Sequence, residues 1–156
     1  MKIRPASMAD YEELCGLFDE VDILHREGLP DIFRKPDGPP RSRERVAHLI
    51  GGPAGTILVA EDSGPLLGLA VLWENPVSTN PLHVPHRVVE IVTIVVRRSA
   101  RGQGVGRRLM DACLEWAKQR GAAHVEISVY AFNADALRMY AAAGFTMLSH
   151  RMTLPL

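Results

Sequence analysis

Val88-Val89-Glu90-Ile91-Val92-Thr93-Ile94-Val95-Val96, followed after four residues by Arg101-Gly102-Gln103-Gly104-Val105-Gly106-Arg107, is the stretch that decides the fold. The first part is a near-continuous β-branched run, a pattern that survives when both faces of a sheet are covered. Glu90 is its one charge. The second part sets three glycines at alternate positions just ahead of a helical pattern. Without a Cβ, the backbone N–H groups there can approach a ligand closely. The first turn of a helix adds unpaired N–H groups and a partial positive charge, so phosphate oxygens are the natural guest. A tight strand-to-helix connection alone needs one or two glycines, not three, and gives no reason for the flanking arginines.

Two familiar phosphate motifs do not fit. No G-x-x-x-x-G-K-[ST] can be written here, which removes a Walker P-loop. Gly102-x-Gly104 with Glu126 further on approaches a dinucleotide fingerprint, but its third glycine position holds Arg107. Only about 50 residues remain for the further βα units which that fold requires.

What the turn does match is R-x-x-G-x-G, as Arg101, Gly104 and Gly106, after an apolar strand ending at Val96. A second pattern follows: Asn133-x-x-Ala136-x-x-x-Tyr140-x-x-x-Gly144-Phe145. Together these resemble two motifs of the GNAT superfamily of N-acetyltransferases, and the resemblance spans residues 88–145. It implies an α/β (α+β) fold with a mixed, strongly twisted central sheet and helices on both faces. It implies acetyl-CoA as cosubstrate, with the amides of residues 101–107 around the pyrophosphate and those of Ile94, Val95 and Val96 along the pantetheine. Asn133 and Tyr140 are its further cofactor-side residues. Read locally, without the first motif, Asn133 is a helix cap and Tyr140 a core aromatic.

Composition sets the outer bounds. A chain of 156 residues with 47% hydrophobic residues fits one domain, residues 1–156, with a sizeable core. Net charge is formally zero, so no global basic field draws nucleic acid or an anionic membrane. No stretch approaches the roughly 18 apolar residues of a membrane span, and the start lacks an apolar signal region. The expectation is a soluble cytoplasmic protein, with neither nucleic acid nor membrane among its partners and with room for a homodimer. Cys15 and Cys113 lie far apart without C-x-x-C spacing and read as buried reduced thiols. His83-x-x-His86 lacks the frame of a metal site, and no metal is expected.

Taken in order, residues 2–4 read as a first strand, and Ser7 with Asp10 as a capping box opening a helix at Met8. Tyr11, Leu14, Cys15, Phe18 and Val21 mark its inward face. Residues 24–40 break the pattern and read as a charged loop, either functional or a solvated connector. Ser42 caps a second helix that Gly51-Gly52-Pro53 ends. Residues 56–61 and 66–74 read as a hairpin, residues 105–119 as an amphipathic helix and residues 125–130 as a strand. Asn133 opens a last helix, and residues 145–154 read as a final strand.

Attack of an amine on a thioester requires loss of a proton, because an unperturbed amine has a pKa of about 10.4. Glu90, a carboxylate in an apolar strand and so desolvated, is the candidate base. It is alternatively a structural partner of Arg87. His86 shares its face by period-two parity and is the second candidate. Tyr140 is the candidate acid for the departing thiolate. The acceptor is a primary amine, on a small molecule or a peptide. Asp19, Glu20, Asp22, Glu27 and Asp31 cluster where the resembling family places its acceptor cleft, which favours a small cationic amine over a peptide N-terminus or lysine. The alternative class is a non-catalytic acyl-CoA sensor, which shares the loop but needs neither base nor acid.

Overall fold

The computed structural model describes residues 1–38 and 41–155. Five strands form one sheet in sequence order: β1 (Lys2–Pro5), β2 (Gly55–Glu61), β3 (Gly68–Asn75), β4 (Val88–Val96) and β5 (His124–Ile127). β1 to β4 pair antiparallel, and β5 joins β4 in parallel. The long apolar run of β4 follows from its central place, with a strand on each side over its first half and helices on both faces.

Two apolar layers sandwich this sheet. On one face, Leu58, Ala60, Ala70, Leu72, Val89 and Ile91 pack with Val105, Leu109, Met110 and Cys113 of α3 (Val105–Gln119). On the other, Ile57, Val59, Leu69, Val71 and Val95 pack with Tyr11, Leu14, Leu17 and Phe18 of α1 (Tyr11–Gly28) and Val46 of α2 (Arg43–Gly51). The last helix, α4 (Ala134–Ala142), contributes Tyr140 to the α3-side layer.

Local signals set most boundaries. Asp10 accepts hydrogen bonds from the Ser7 N–H at 2.7 Å and the Ser7 hydroxyl, but the first turn it caps, Met8–Asp10, is a 3-10 turn and the α-helix begins at Tyr11. Arg4 binds both Asp10 and Glu61, and its hydrogen bonds hold the Asp10 carboxyl well below the usual carboxylate range. Ser42 caps α2 by accepting from the Arg45 N–H. Gly121, at φ +68°, ends α3.

Four expectations are corrected. α1 runs to Gly28 instead of breaking at Leu24, because residues 24–28 hold no proline and the chain turns only at Leu29-Pro30. Cys15 is half-buried, whereas Cys113 is fully buried; both are free thiols. Leu17, outside the stripe read from the sequence, is fully buried because the face of α1 against the sheet is wider than one stripe. Residues 145–154 form no strand: residues 146–155 make no backbone hydrogen bond with another described residue. Among the described residues, no helix is long and apolar enough to cross a membrane.

Candidate active site

The gap beside β4 comes from an irregularity that the sequence hides. β3 pairs Val71 with Thr93 and Leu72 with Ile91, so Val92 is an extra residue, a β-bulge. The bulge shifts side-chain parity. Before it Val89 and Ile91 face α3, and after it Ile94 and Val96 do, while Val95 points into the α1 side. Pairing with β5 covers only Val88 to Ile91, so from Val92 onward the outer edge of β4 has no neighbouring strand. Apart from the Val96 carbonyl, which Arg101 occupies, main-chain groups along this open edge have no strand partner.

At the end of that edge stands the glycine turn. Gly102 and Gly104 lie at φ +74° and +79°, a left-handed conformation that other residues reach only with strain. A Cβ at either would meet nothing within 4 Å, so the space above them is open. Gly106 is different: a Cβ there would lie 3.0 Å from the Met139 sulfur, so its role is close packing of α3 on α4. None of the amides of residues 102–107 forms a hydrogen bond with another described residue; the first amide engaged is that of Arg108, to Gly104. Six unpaired donors beside open space, at a helix N-terminus, fit a pyrophosphate.

The flanking side chains divide the work. Arg101 is tied down, with Nε donating to the Val96 carbonyl at 3.0 Å and its terminal nitrogen to Glu20 at 3.3 Å. Glu20 also accepts from the Arg98 N–H at 2.8 Å. Gln103 donates to the Ser99 carbonyl, which braces the turn from within. Arg107 is exposed and makes no ion pair among the described residues. Val105 is buried under the turn.

On α4, Asn133 Oδ1 accepts from the Ala136 N–H at 3.2 Å, so the side chain is a helix cap whose amide nitrogen stays available. Tyr140 is 8% exposed and lies 6.0 Å from the Phe145 ring. Burial pushes its phenol up to about 12. The hydroxyl has no hydrogen-bond partner among the described residues, yet no buried side-chain oxygen among them is unpartnered. The ring is therefore packed while the oxygen reaches the surface.

Glu90 sits on the opposite side of the gap. It is half-buried, accepts from Asn75 Nδ2 at 3.5 Å, and stands in register with Glu126 of β5. Arg87 does not pair with it; that guanidinium goes to Glu74 at 3.3 Å. A cavity of about 430 Å³ opens beside these strands, lined by Asn75, Ser78, His83, His86, Val88 and Glu126 among others. His86 is held by the Val84 carbonyl and lies 4.7 Å from the His124 ring. Among the described residues, no three His, Cys, Asp or Glu side chains are grouped to hold a metal ion.

The acidic cluster on α1 is largely spoken for: Asp22 by Arg41, Glu20 by Arg101 and Asp19 by Arg26 at 4.0 Å. A feature the sequence reading missed stands beside it. His25, Phe33, Tyr130 and Phe132 form an aromatic clasp with ring centroids 5.1 to 6.3 Å apart, closing the end of α1 onto the loop after β5. Its only sequence signal is Gly28, where a Cβ would strike the Phe132 ring.

A mixed sheet that opens beside β4, with a glycine turn of amides unpaired among the described residues at the mouth, defines an α/β protein with an open cleft at the end of its long apolar strand. The chain belongs to the Acetyltransferase (GNAT) family, whose model matches residues 24–145. The BH1408 protein from Bacillus halodurans, solved as a point mutant, is 29% identical with a TM-score of 0.95 over 100% of this chain and 99% of that one. An aminoglycoside N-acetyltransferase solved in complex with CoA has the same fold, at 19% identity and a TM-score of 0.72 over 99% of this chain and 98% of that one. A mycothiol acetyltransferase from Sanguibacter keddieii is 38% identical over 93 residues, 60% of this chain but 29% of that protein. The chain thus spans under a third of the curated relatives it matches.

Proposed function

We propose that the chain moves the acetyl group of acetyl-CoA to a primary amine by direct attack within a ternary complex, in the cytoplasm. The observation that carries this reading is the row of unpaired amides at residues 102–107, at the mouth of the gap beside β4. In this reading those amides and Arg107 hold the pyrophosphate, and Ile94, Val95 and Val96 offer main-chain groups to the pantetheine arm. The Asn133 amide donates to the same arm. An N–H near the end of β4 polarises the thioester oxygen as tetrahedral charge develops there.

Glu90 takes the proton from the attacking amine, directly or through one water, with His86 as the second candidate. Tyr140 gives a proton to the departing thiolate from a hydroxyl that reaches the surface. The acceptor is a small cationic amine ahead of a peptide N-terminus or lysine. Support for that preference shifts from α1, whose carboxylates are mostly paired, to Glu90 and Glu126, which stand side by side without an ion-pair partner among the described residues. The name mycothiol acetyltransferase belongs to proteins of which this chain matches 23–30%, so that acceptor is not carried over.

Titration calorimetry with coenzyme A tests the first step, and absence of binding at millimolar ligand would sink the proposal. Thiol release with polyamines, amino-sugar antibiotics, amino acids and short peptides tests the second. Binding without turnover of any amine would mark an acyl-CoA sensor instead.

A further inference from the structure

Asn75 is the last residue of β3, and Pro76 after it has no N–H to continue the ladder. A residue ahead of proline is confined to extended backbone, so the chain itself sets the direction of the Asn75 side chain. Asn75 pairs with Val88 and Trp73 with Glu90, which puts Asn75 and Glu90 diagonally across the β3–β4 pair on the same face. There Asn75 Nδ2 donates to Glu90 Oε2 at 3.5 Å. Both residues are half-buried.

This is the one hydrogen bond that either side chain makes among the described residues. Trp73 and Glu126 stand in register on the two sides of Glu90 without a hydrogen bond to it, and the Arg87 guanidinium goes to Glu74. Glu90 therefore has a neutral donor on one oxygen and, among the described residues, no cation. That combination suits a base. A guanidinium would hold the carboxylate in a fixed ion pair and compete with the substrate's ammonium for it. An amide N–H orients one oxygen and leaves the other open to take a proton, and it can still donate to the carbonyl oxygen once that proton has arrived. Asn75 also borders two cavities, the one lined by His86, Val88 and Glu126 and a second of about 400 Å³ lined by Pro53, Trp73, Val77 and Arg87. The carboxylate it orients thus lies beside open space.

We propose that Asn75 is the positioning residue for Glu90: its amide N–H turns the carboxylate so that Oε1 meets the incoming amine, and does so without neutralising it. The inference rests on the reading of Glu90 as the base. In the step it serves, the amine nitrogen bonds to the thioester carbon, an N–H bond of that nitrogen breaks and its proton goes to Glu90 Oε1, and the adduct then collapses with loss of the thiolate. Asn75 exchanges no proton and acts only through Glu90, so its loss falls on the rate and not on acceptor binding.

Steady-state kinetics with an amine that the wild-type chain acetylates tests this. Asn75→Leu, close in shape but without a donor, should lower kcat by about tenfold and change the acceptor KM by less than about twofold. Asn75→Asp sets a second carboxylate against Glu90; it should lower kcat at least as far and move the acidic limb of the pH–rate profile to higher pH. Asn75→Gln keeps the donor on a longer arm and should recover part of the loss. In a Glu90→Gln background, Asn75→Leu should cost nothing more. Should Asn75→Leu fail to fold, Asn75→Asp alone and in that background reads the same outcomes. Loss of kcat in Glu90→Gln with none in Asn75→Leu overturns the positioning role and leaves the base in place. A raised KM with kcat intact, or a further loss in the double variant, overturns it equally, because Asn75 would then act on something other than Glu90. Unchanged turnover in Glu90→Gln, or no turnover of any amine, overturns the base and this proposal together.

Discussion

Arg101 donates to Glu20 across 3.3 Å and to the Val96 carbonyl across 3.0 Å, so one guanidinium joins α1, the end of β4 and the glycine turn. Its charge is already matched by a carboxylate, which makes it a brace of the turn, while Arg107 has no ion-pair partner among the described residues. The two arginines should therefore separate by salt. Arg107→Gln should weaken coenzyme A binding by about tenfold at low salt and flatten its ionic-strength dependence. Arg101→Ala should also weaken binding, through a loosened turn, but leave the salt slope intact. Calorimetry at three ionic strengths reads both, and a slope lost in Arg101→Ala instead would reverse the assignment.

The glycines should separate by mechanism. At Gly104 the space is open but φ is +79°, so Gly104→Ala carries about 1–2 kcal/mol of backbone strain, and Gly104→Asn should carry less. Because the strained residue is the N-cap of α3, the loss should show in coenzyme A affinity. Gly106→Ala has no such strain; its Cβ pushes on Met139, next to Tyr140 on α4. It should lower turnover more than affinity. Chemical denaturation together with kcat and KM for both variants checks the split.

Tyr140 offers a test in which packing and chemistry part. Its ring is buried but its hydroxyl has no hydrogen bond among the described residues, so Tyr140→Phe should leave the midpoint of denaturation nearly unchanged. Turnover should fall by about 10²-fold or more, in the range of general-acid effects, with coenzyme A affinity little changed. Burial raises the phenol from 10 to about 12, so the protonated form is the one the fold favours. Stability owed to this group is complete below pH 10 and is lost as pH rises toward 12. The wild-type rate should accordingly show no fall from Tyr140 ionisation below pH 10, and a basic limb that vanished in Tyr140→Phe at lower pH would contradict this.

The run of residues 88–96 was legible to the residue because β-branched density reports burial on both faces, and the glycine turn because three alternate glycines have few other uses. Asn133 declared itself as a cap through its place ahead of an apolar helix. The bulge at Val92 was not legible: every residue around it is apolar, so a shift of parity moves one apolar side chain for another and leaves no trace in the pattern. The aromatic clasp was hidden for a related reason. His25, Phe33, Tyr130 and Phe132 are about a hundred residues apart in two groups, and only the tertiary fold brings them together. The carboxylates of α1 misled, since a sequence shows their charge but not that Arg26, Arg41 and Arg101 already hold three of them. Residues 145–154 are rich in large apolar side chains, which the sequence reading took for a strand, but composition does not show whether a segment pairs, and here no backbone hydrogen bond ties residues 146–155 to another described residue.

His25 makes the clasp sensitive to acid. Its ring stacks on Phe33 at 5.1 Å and meets Tyr130 edge-on at 5.3 Å, and burial among these rings lowers its pKa below 6.5, with Asp22 partly opposing and Arg41 adding to the effect. A lowered histidine favours the neutral form in the closed state, so the open state takes up the proton first as pH falls. The clasp's contribution is thus complete above pH 6.5 and declines below it, which is opposite to a histidine held in an ion pair. Hydrogen exchange at residues 29–33 and 130–132 should quicken, after correction for intrinsic rates, between about pH 7 and about pH 5. His25→Phe keeps an aromatic ring without the titration, and it should abolish that acceleration while leaving protection at neutral pH in place. If the variant still opens with acid, another group governs the loop and His25 is only a packing residue.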